Sequence, residues 1–264
     1  MSIKTGFIGA GNMGGSVLCG AVACGALHAD DIYVHSLAVS DKVKELNINV
    51  TNLEDLVKNS DYIILCIKPN GFEELLGRIR TIAGYEDKVY VSIAAGITID
   101  YIKAALGDVA VIRTMPNLPL FAGGGMTVIA PDDGVGEDAV DFVQRIFAGA
   151  GRVLVVKEDE ISAYTAVSGS GPAYAFLFIE ALADAAVRAG IPRDRAYTIA
   201  SQTLFGSAKM QLETGIHPAV LKDMVCSPGG TTIDAVASLE SDGFRNAVIN
   251  AVDACLKKAE KMKK

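Results

Sequence analysis

Six residues near the start narrow the possible folds more than any other feature. Gly9-Ala10-Gly11-Asn12-Met13-Gly14 follows the apolar run Gly6-Phe7-Ile8 directly and opens a stretch with helical spacing, 12–26. Three glycines so spaced between a strand and a helix form the turn that begins a dinucleotide-binding βαβ unit. Each glycine has a separate physical task. Gly9 permits the tight turn, Gly11 lets the backbone approach a pyrophosphate, and Gly14 lets the helix pack close to the strand. The helix start adds unpaired N–H groups aimed at phosphate. Gly9 through Gly14, with Ala10, Asn12 and Met13 between the glycines, are therefore the first expected cofactor-binding residues.

The rest of the first half supports such a sheet. β-rich runs recur at 5–9, 32–35, 62–67, 88–93, 109–113, 126–130 and 153–156, with helix-like segments between most of them. Runs such as Tyr62-Ile63-Ile64-Leu65-Cys66-Ile67 are apolar on both faces, as in a parallel strand covered from both sides. The expected class is α/β, with a Rossmann-type doubly wound sheet over residues 1–158. After residue 159 the β-rich runs stop. Helical patterns at 172–189, 193–213, 232–239 and 244–261 follow, punctuated by Gly190, Pro192, Gly215, Pro218 and Ser227-Pro228-Gly229-Gly230. Residues 159–264 are expected to form an all-helical domain. Its apolar surface suits burial against a second copy.

Charge and cysteine usage exclude several classes. Lys and Arg number 24 against 31 Asp and Glu, a net charge of −7, and neither part is a basic module, so no nucleic-acid partner is expected. The five cysteines form no CxxC and the three histidines no ligand spacing, so no metal is expected. The start MSIKTGFIG has no signal-peptide pattern. The most apolar stretch, 172–190, carries Glu180, Asp184 and Arg188, so no membrane partner is expected. A cytoplasmic protein is the expectation.

Cofactor choice turns on the end of the second β-rich run. It closes in His35-Ser36, while the nearest acids, Asp30 and Asp31, precede it. A carboxylate there would grip the ribose hydroxyls of NAD(H) and repel a 2′-phosphate. A hydroxyl, an imidazole and nearby Lys42 would accept the phosphate. NADP(H) is the preferred cofactor on this ground, and NAD(H) stays in view because no Arg stands at that position. Three further stretches end β-rich runs, where ligands gather in open α/β sheets. They are Cys66-Ile67-Lys68-Pro69, Ser92-Ile93-Ala94-Ala95-Gly96 and Arg113-Thr114-Met115-Pro116-Asn117. In the helical part, Val167–Tyr174 reads as a small-residue loop entering a helix. Cys226-Ser227-Pro228-Gly229-Gly230-Thr231-Thr232 reads as a second loop, whose N–H groups and hydroxyls suit a carboxylate.

Taken together, GFIGAGNMG, CIKP, AAG, RTMPN, SGSGPAYAF, KDMVCSPGGTTI and LESDGFR resemble, in order and across essentially the whole chain, the pyrroline-5-carboxylate reductases. The resemblance implies reduction of a cyclic imine by NAD(P)H to L-proline. It also implies an intertwined homodimer built by the helical domain, with decamers in some members. It maps cofactor contacts onto Gly9 to Gly14, Ser36, Asn52, Cys66 to Pro69 and Ala94 to Gly96. The substrate loop becomes Ser227, Gly229, Gly230, Thr231 and Thr232, with one of the two threonines at the ring nitrogen as the catalytic hydroxyl. Two other classes compete. A β-hydroxyacid dehydrogenase would need a GxxxKxxxN helix pattern, and Lys209 follows Gly206 at the wrong spacing. A non-catalytic NADP-binding regulator would leave the SPGGTT loop unexplained.

Overall fold

A computed structural model describes residues 2–263. Its strands are β1 (Thr5–Ala10), β2 (Ile32–Val39), β3 (Asn49–Val50), β4 (Tyr62–Leu65), β5 (Val89–Ser92), β6 (Ala110–Met115), β7 (Gly125–Pro131) and β8 (Gly151–Val155). They form one sheet in the order β3-β2-β1-β4-β5-β6-β7-β8. The helices of this part are α1 (Asn12–Ala23), α2 (Asp41–Lys44), α3 (Leu53–Asn59), α4 (Phe72–Ile79), α5 (Ile99–Leu106) and α6 (Glu137–Ala148). The α/β class and doubly wound sheet read from the sequence are those of the structure. Two details differ. β3 is a two-residue edge strand, too short to leave a periodic signal. β7 runs antiparallel to β6, because only the nine residues 116–124, with the short turn Leu118–Ala122 among them, separate the two strands. A parallel return needs a crossover of a dozen or more residues.

Both faces of the sheet are covered, as the two-sided apolar runs require. Phe7, Val34 and Ile64 pack under Val17 and Leu18 of α1 and Phe142 and Ile146 of α6. Ile8, Ile63 and Leu65 pack on the other face against Leu56 of α3, Phe72 and Leu76 of α4, and Ile102 of α5. Tyr62 and Phe142 meet at 4.5 Å between ring centroids with a 49° tilt, an offset contact that aromatic rings favour.

The chain divides into two compact units. One runs to Ser170 and also takes in the C-terminal stretch from Cys255 onward; the other is Gly171–Ala254. This break lies downstream of residue 158. The reason is that α7 (Ile161–Tyr164) buries Ile161 against Val128 and Ala130 of the sheet. The second unit holds α8 (Gly171–Arg188), α9 (Arg193–Thr214), α10 (Pro218–Val225), α11 (Thr231–Ser241) and the first turns of α12 (Phe244–Lys261). Helix α10 carries Pro218 in its first turn, where the missing N–H costs nothing. The α8–α9 pair closes on Ala183, Ala196 and Ala200, and an ion pair from Arg193 to Asp184 at 2.6 Å joins their ends. The helical run 158–188 is long and apolar enough, by length and composition alone, to cross a membrane, with mean hydropathy 1.2.

Candidate functional site

Strand order reverses between β1 and β4, whose carboxyl ends separate into a crevice where open α/β sheets bind ligands. The glycine turn sits at that point, and the three glycines meet different surroundings. Gly9 has φ +97°, a left-handed conformation, and a Cβ there would lie 2.6 Å from the Cys66 carbonyl oxygen. A Cβ on Gly14 would run into the Gly9 carbonyl oxygen and come 2.7 Å from Cys66 Cβ. Helix α1 therefore approaches β4 only because position 14 has no side chain. Gly11 differs: nothing lies within 4 Å of where its Cβ would be. It caps α1 with no side-chain hydrogen bond, so the first N–H groups of the helix face open space. The cleft beside it has a volume of about 420 Å³ and is lined by Gly9, Gly11, Ser36, Ile67, Lys68 and Arg78 among others.

Other residues of the expected set hold the frame, and Ser36 and Cys66 do so while also lining the cleft. Ala10 is buried, and its N–H donates to Ser36 Oγ at 3.0 Å. The Ser36 hydroxyl in turn donates to the Ala38 carbonyl at 2.6 Å. This bridge spans the place where the β1–β2 register shifts, between Ile8 and Ala10. The Cys66 N–H donates to the Ile8 carbonyl at 2.8 Å, and burial pushes the Cys66 thiol well above the ordinary range. The thiol stays protonated and acts as packing beneath Gly14. Asn52 caps α3, with Oδ1 accepting from Asp55 N at 2.9 Å and Nδ2 donating to Asp55 Oδ2 at 2.8 Å. Pro69 starts the short turn Pro69–Gly71 that leads into α4. Met13 is half-buried. Asn12 and Lys42 line a separate groove of about 530 Å³, together with Ser16, Cys19 and Ser40.

The carboxyl ends of β5 and β6 make a second concavity of about 290 Å³, lined by Ala95, Gly96, Arg113, Met115, Thr165 and Ser170 among others. Gly96, at φ +81°, admits the Met262 carbonyl to 2.7 Å from its notional Cβ. Arg113 is nearly buried and pairs with Glu158 at 3.0 Å; the same carboxylate oxygen accepts the Ile99 N–H at 2.8 Å. Asn117 joins two segments, donating to the Ser168 carbonyl and accepting from Met126 N, both at 2.8 Å. The loop expected before the helix, Val167–Gly171, is instead mostly helical, and the helix it enters is present as expected. Thr165–Gly169 forms a π-turn between α7 and α8, closed by Ser170 N to the Thr165 carbonyl at 2.9 Å. Thr165 and Ser168 hydroxyls return to the carbonyls four residues back, which holds the wider turn. Asn117→Ala would leave the half-buried Met126 N–H and the Ser168 carbonyl on that turn without their partner. We expect a loss of about 2 kcal/mol or more in denaturant unfolding; an unchanged midpoint would show that the turn holds without Asn117.

In the helical unit, Ser227–Gly230 closes a tight turn, with Gly230 N donating to the Ser227 carbonyl at 3.0 Å. Gly230 then caps α11 without a side-chain bond. The helix thus begins with free N–H groups beside Thr231, exposed, and Thr232, half-buried. Such a helix start is receptive to an anion, the property for which SPGGTT stood out. Lys209 stands on the exposed face of α9, 3.7 Å from Glu213. Arg78 is a cleft residue that the sequence reading does not pick out. Its signal is the spacing Gly71, Glu74, Leu75, Arg78 along α4, one helical face that lines the cleft.

Similarity to known proteins covers the chain end to end. Residues 158–262 match the family model described as pyrroline-5-carboxylate reductase dimerisation, and residues 4–96 match that described as NADP oxidoreductase, coenzyme F420-dependent. The pyrroline-5-carboxylate reductase of Escherichia coli is 46% identical over 270 residues, covering 100% of both chains. The solved structure of a pyrroline-5-carboxylate reductase from Coxiella burnetii superposes with TM-score 0.93 at 32% identity, covering 100% of each chain. That of the Plasmodium falciparum pyrroline carboxylate reductase with NADP bound gives TM-score 0.87 at 30% identity over 100% of this chain and 99% of that one. With the glycine turn, the helical unit and this full-length identity in agreement, the chain belongs to the pyrroline-5-carboxylate reductase family.

Proposed function

We propose that this chain reduces 1-pyrroline-5-carboxylate to L-proline, the last step of proline biosynthesis, with NADPH as preferred reductant and NADH accepted. The observation that carries the reading is the 46% identity to the Escherichia coli reductase over the full length of both chains. The residues present fit a dinucleotide: the open space over Gly11 and the uncapped start of α1 leave room and N–H donors for a pyrophosphate. When bound, the nicotinamide supplies a hydride to the carbon of the C=N bond. Gly9, Gly11 and the α1 N-terminus would hold the pyrophosphate, Ile67 and Lys68 would flank the adenosine half, and Ala94 to Gly96 would face the nicotinamide half.

The protein's own chemistry is positioning. The free N–H groups at the start of α11, with Ser227 and Gly229 before them, hold the substrate carboxylate. A hydroxyl of Thr231 or Thr232 hydrogen-bonds the ring nitrogen, which carries the proton that makes an imine a good hydride acceptor and keeps it in the secondary amine of the product. Placing two reactants face to face supplies most of the acceleration, about 7–11 kcal/mol at best. Thr231→Ala and Thr232→Ala test the loop. At least one should lower kcat/KM about tenfold, the worth of one hydrogen bond in the transition state. Two variants each within about twofold of wild type would remove the loop from the mechanism. The working unit in this reading is a cytoplasmic homodimer joined through the helical unit, consistent with the dimerisation match over 158–262. Imine-dependent oxidation of NADPH, followed at its near-ultraviolet absorbance and repeated with NADH, tests the whole assignment.

A further inference from the structure

The adenosine end of the cleft lacks the phosphate-binding group that the sequence offers it. Ser36 spends its proton on the Ala38 carbonyl and takes the Ala10 N–H, so its hydroxyl is committed to the backbone. Lys42 lies in the groove with Asn12, Ser16 and Ser40 and does not line this cleft. Lys44 is paired with Asp41 at 2.8 Å. The cations that line the cleft are Lys68, at the end of β4, and Arg78, one helical face along α4. Arg78 is exposed and forms no ion pair among the described residues. It lines the same cleft as His35, Ser36 and Leu37, the residues that end β2, beside which the adenosine ribose lies in this fold. The carboxylate there, Glu74, sits one turn before Arg78 rather than at the strand end, where it would claim the 2′-hydroxyl.

We infer that Arg78 is the residue that recognises the 2′-phosphate and so sets the preference for NADPH over NADH. The inference rests on the reductase reading for the presence of a dinucleotide. A planar guanidinium with five donors suits a terminal phosphate better than an ammonium does, and its exposed position lets it turn towards the ligand without losing a partner. Nucleotide affinity measured by calorimetry tests it, with NADPH and NADH titrated into the full chain and into Arg78→Gln, Arg78→Lys and Lys42→Gln. Arg78→Gln should weaken NADPH about tenfold and leave NADH unchanged, Arg78→Lys should recover part of the loss, and Lys42→Gln should change neither. The NADPH advantage of the unsubstituted chain should shrink as salt rises. Equal losses for both nucleotides in Arg78→Gln would make Arg78 a packing residue for the shared adenosine and overturn the inference. No loss, or a selective loss in Lys42→Gln instead, would overturn it too. Binding of neither nucleotide by the unsubstituted chain would overturn the reductase reading itself.

Discussion

Gly11→Val should fold as the parent does and fail to bind NADPH. The backbone at Gly11 is extended, φ −70° and ψ −160°, which a β-branched residue adopts readily. Beyond its chain neighbours, no protein atom lies within 4 Å of the added Cβ, so the melting temperature should move little. The space the isopropyl group fills is the approach to the first N–H groups of α1. A pyrophosphate held there would lose those donors and the close backbone contact together. The expected rise in Kd is at least about a hundredfold, or ~2.7 kcal/mol. Gly14→Ala is the informative contrast. Its single methyl group collides with the Gly9 carbonyl and Cys66, so it should destabilise the fold by about 1–3 kcal/mol, whatever the ligand. Calorimetric affinity and thermal unfolding of the two variants separate a binding glycine from a packing glycine. Gly11→Val protein with unchanged NADPH affinity would mean that the cleft beside α1 is not the dinucleotide site.

That contrast also shows how much of the site is legible in the sequence. The spacing of Gly9, Gly11 and Gly14 carries the strand–turn–helix geometry because each glycine answers a local steric demand, and local demands leave local signals. The two-sided apolar runs announce the parallel sheet for the same reason. What the sequence hides depends on contacts far apart along the chain. Arg78 reaches the cleft through the helix after β4, about two strands away from the His35-Ser36 end that it faces. Ser36 reads as a free hydroxyl until the register shift between β1 and β2 shows Ala10 and Ala38 using both of its functions. Val167–Gly171 reads as a loop because Ser and Gly are frequent in loops. Here Thr165 and Ser168 bond back to carbonyls one turn earlier and carry the chain through a π-turn into α8. The break between the compact units, after Ser170, comes from Ile161 packing under β7, which no composition shift records.

Leu177→Asp should separate the assembled protein into single chains. The helical unit is its own argument for a partner: among the described residues its fully buried apolar side chains are Ala183, Ala196 and Ala200, with Ile179, Leu182, Val187 and Ile191 only partly buried around them, a small core for five helices. Meanwhile Leu177 is 67% exposed and Phe176 52% on α8, Phe205 62% on α9, and Met224 and Val225 66% and 67% on α10. Apolar surface on this scale is covered in a working protein. A bilayer is a poor cover, since α8 carries Glu180, Asp184 and Arg188, and Asp184 is already paired with Arg193 outside the helix. A second copy of the same face has matching chemistry, and the dimerisation match spans these helices. In a symmetric pair the substitution appears twice. Two carboxylates placed against apolar surface should weaken association by about 3 kcal/mol or more, over a hundredfold in dissociation constant. Sedimentation equilibrium reads this directly: the parent chain is expected as a dimer or larger, the variant as a monomer at the same concentration. An unchanged association constant would place the interface on another face. Activity should fall with dissociation as well. The Ser227–Thr232 turn, the proposed substrate loop, is carried by helices with little buried surface of their own among the described residues, so it should keep its shape only while a partner covers them.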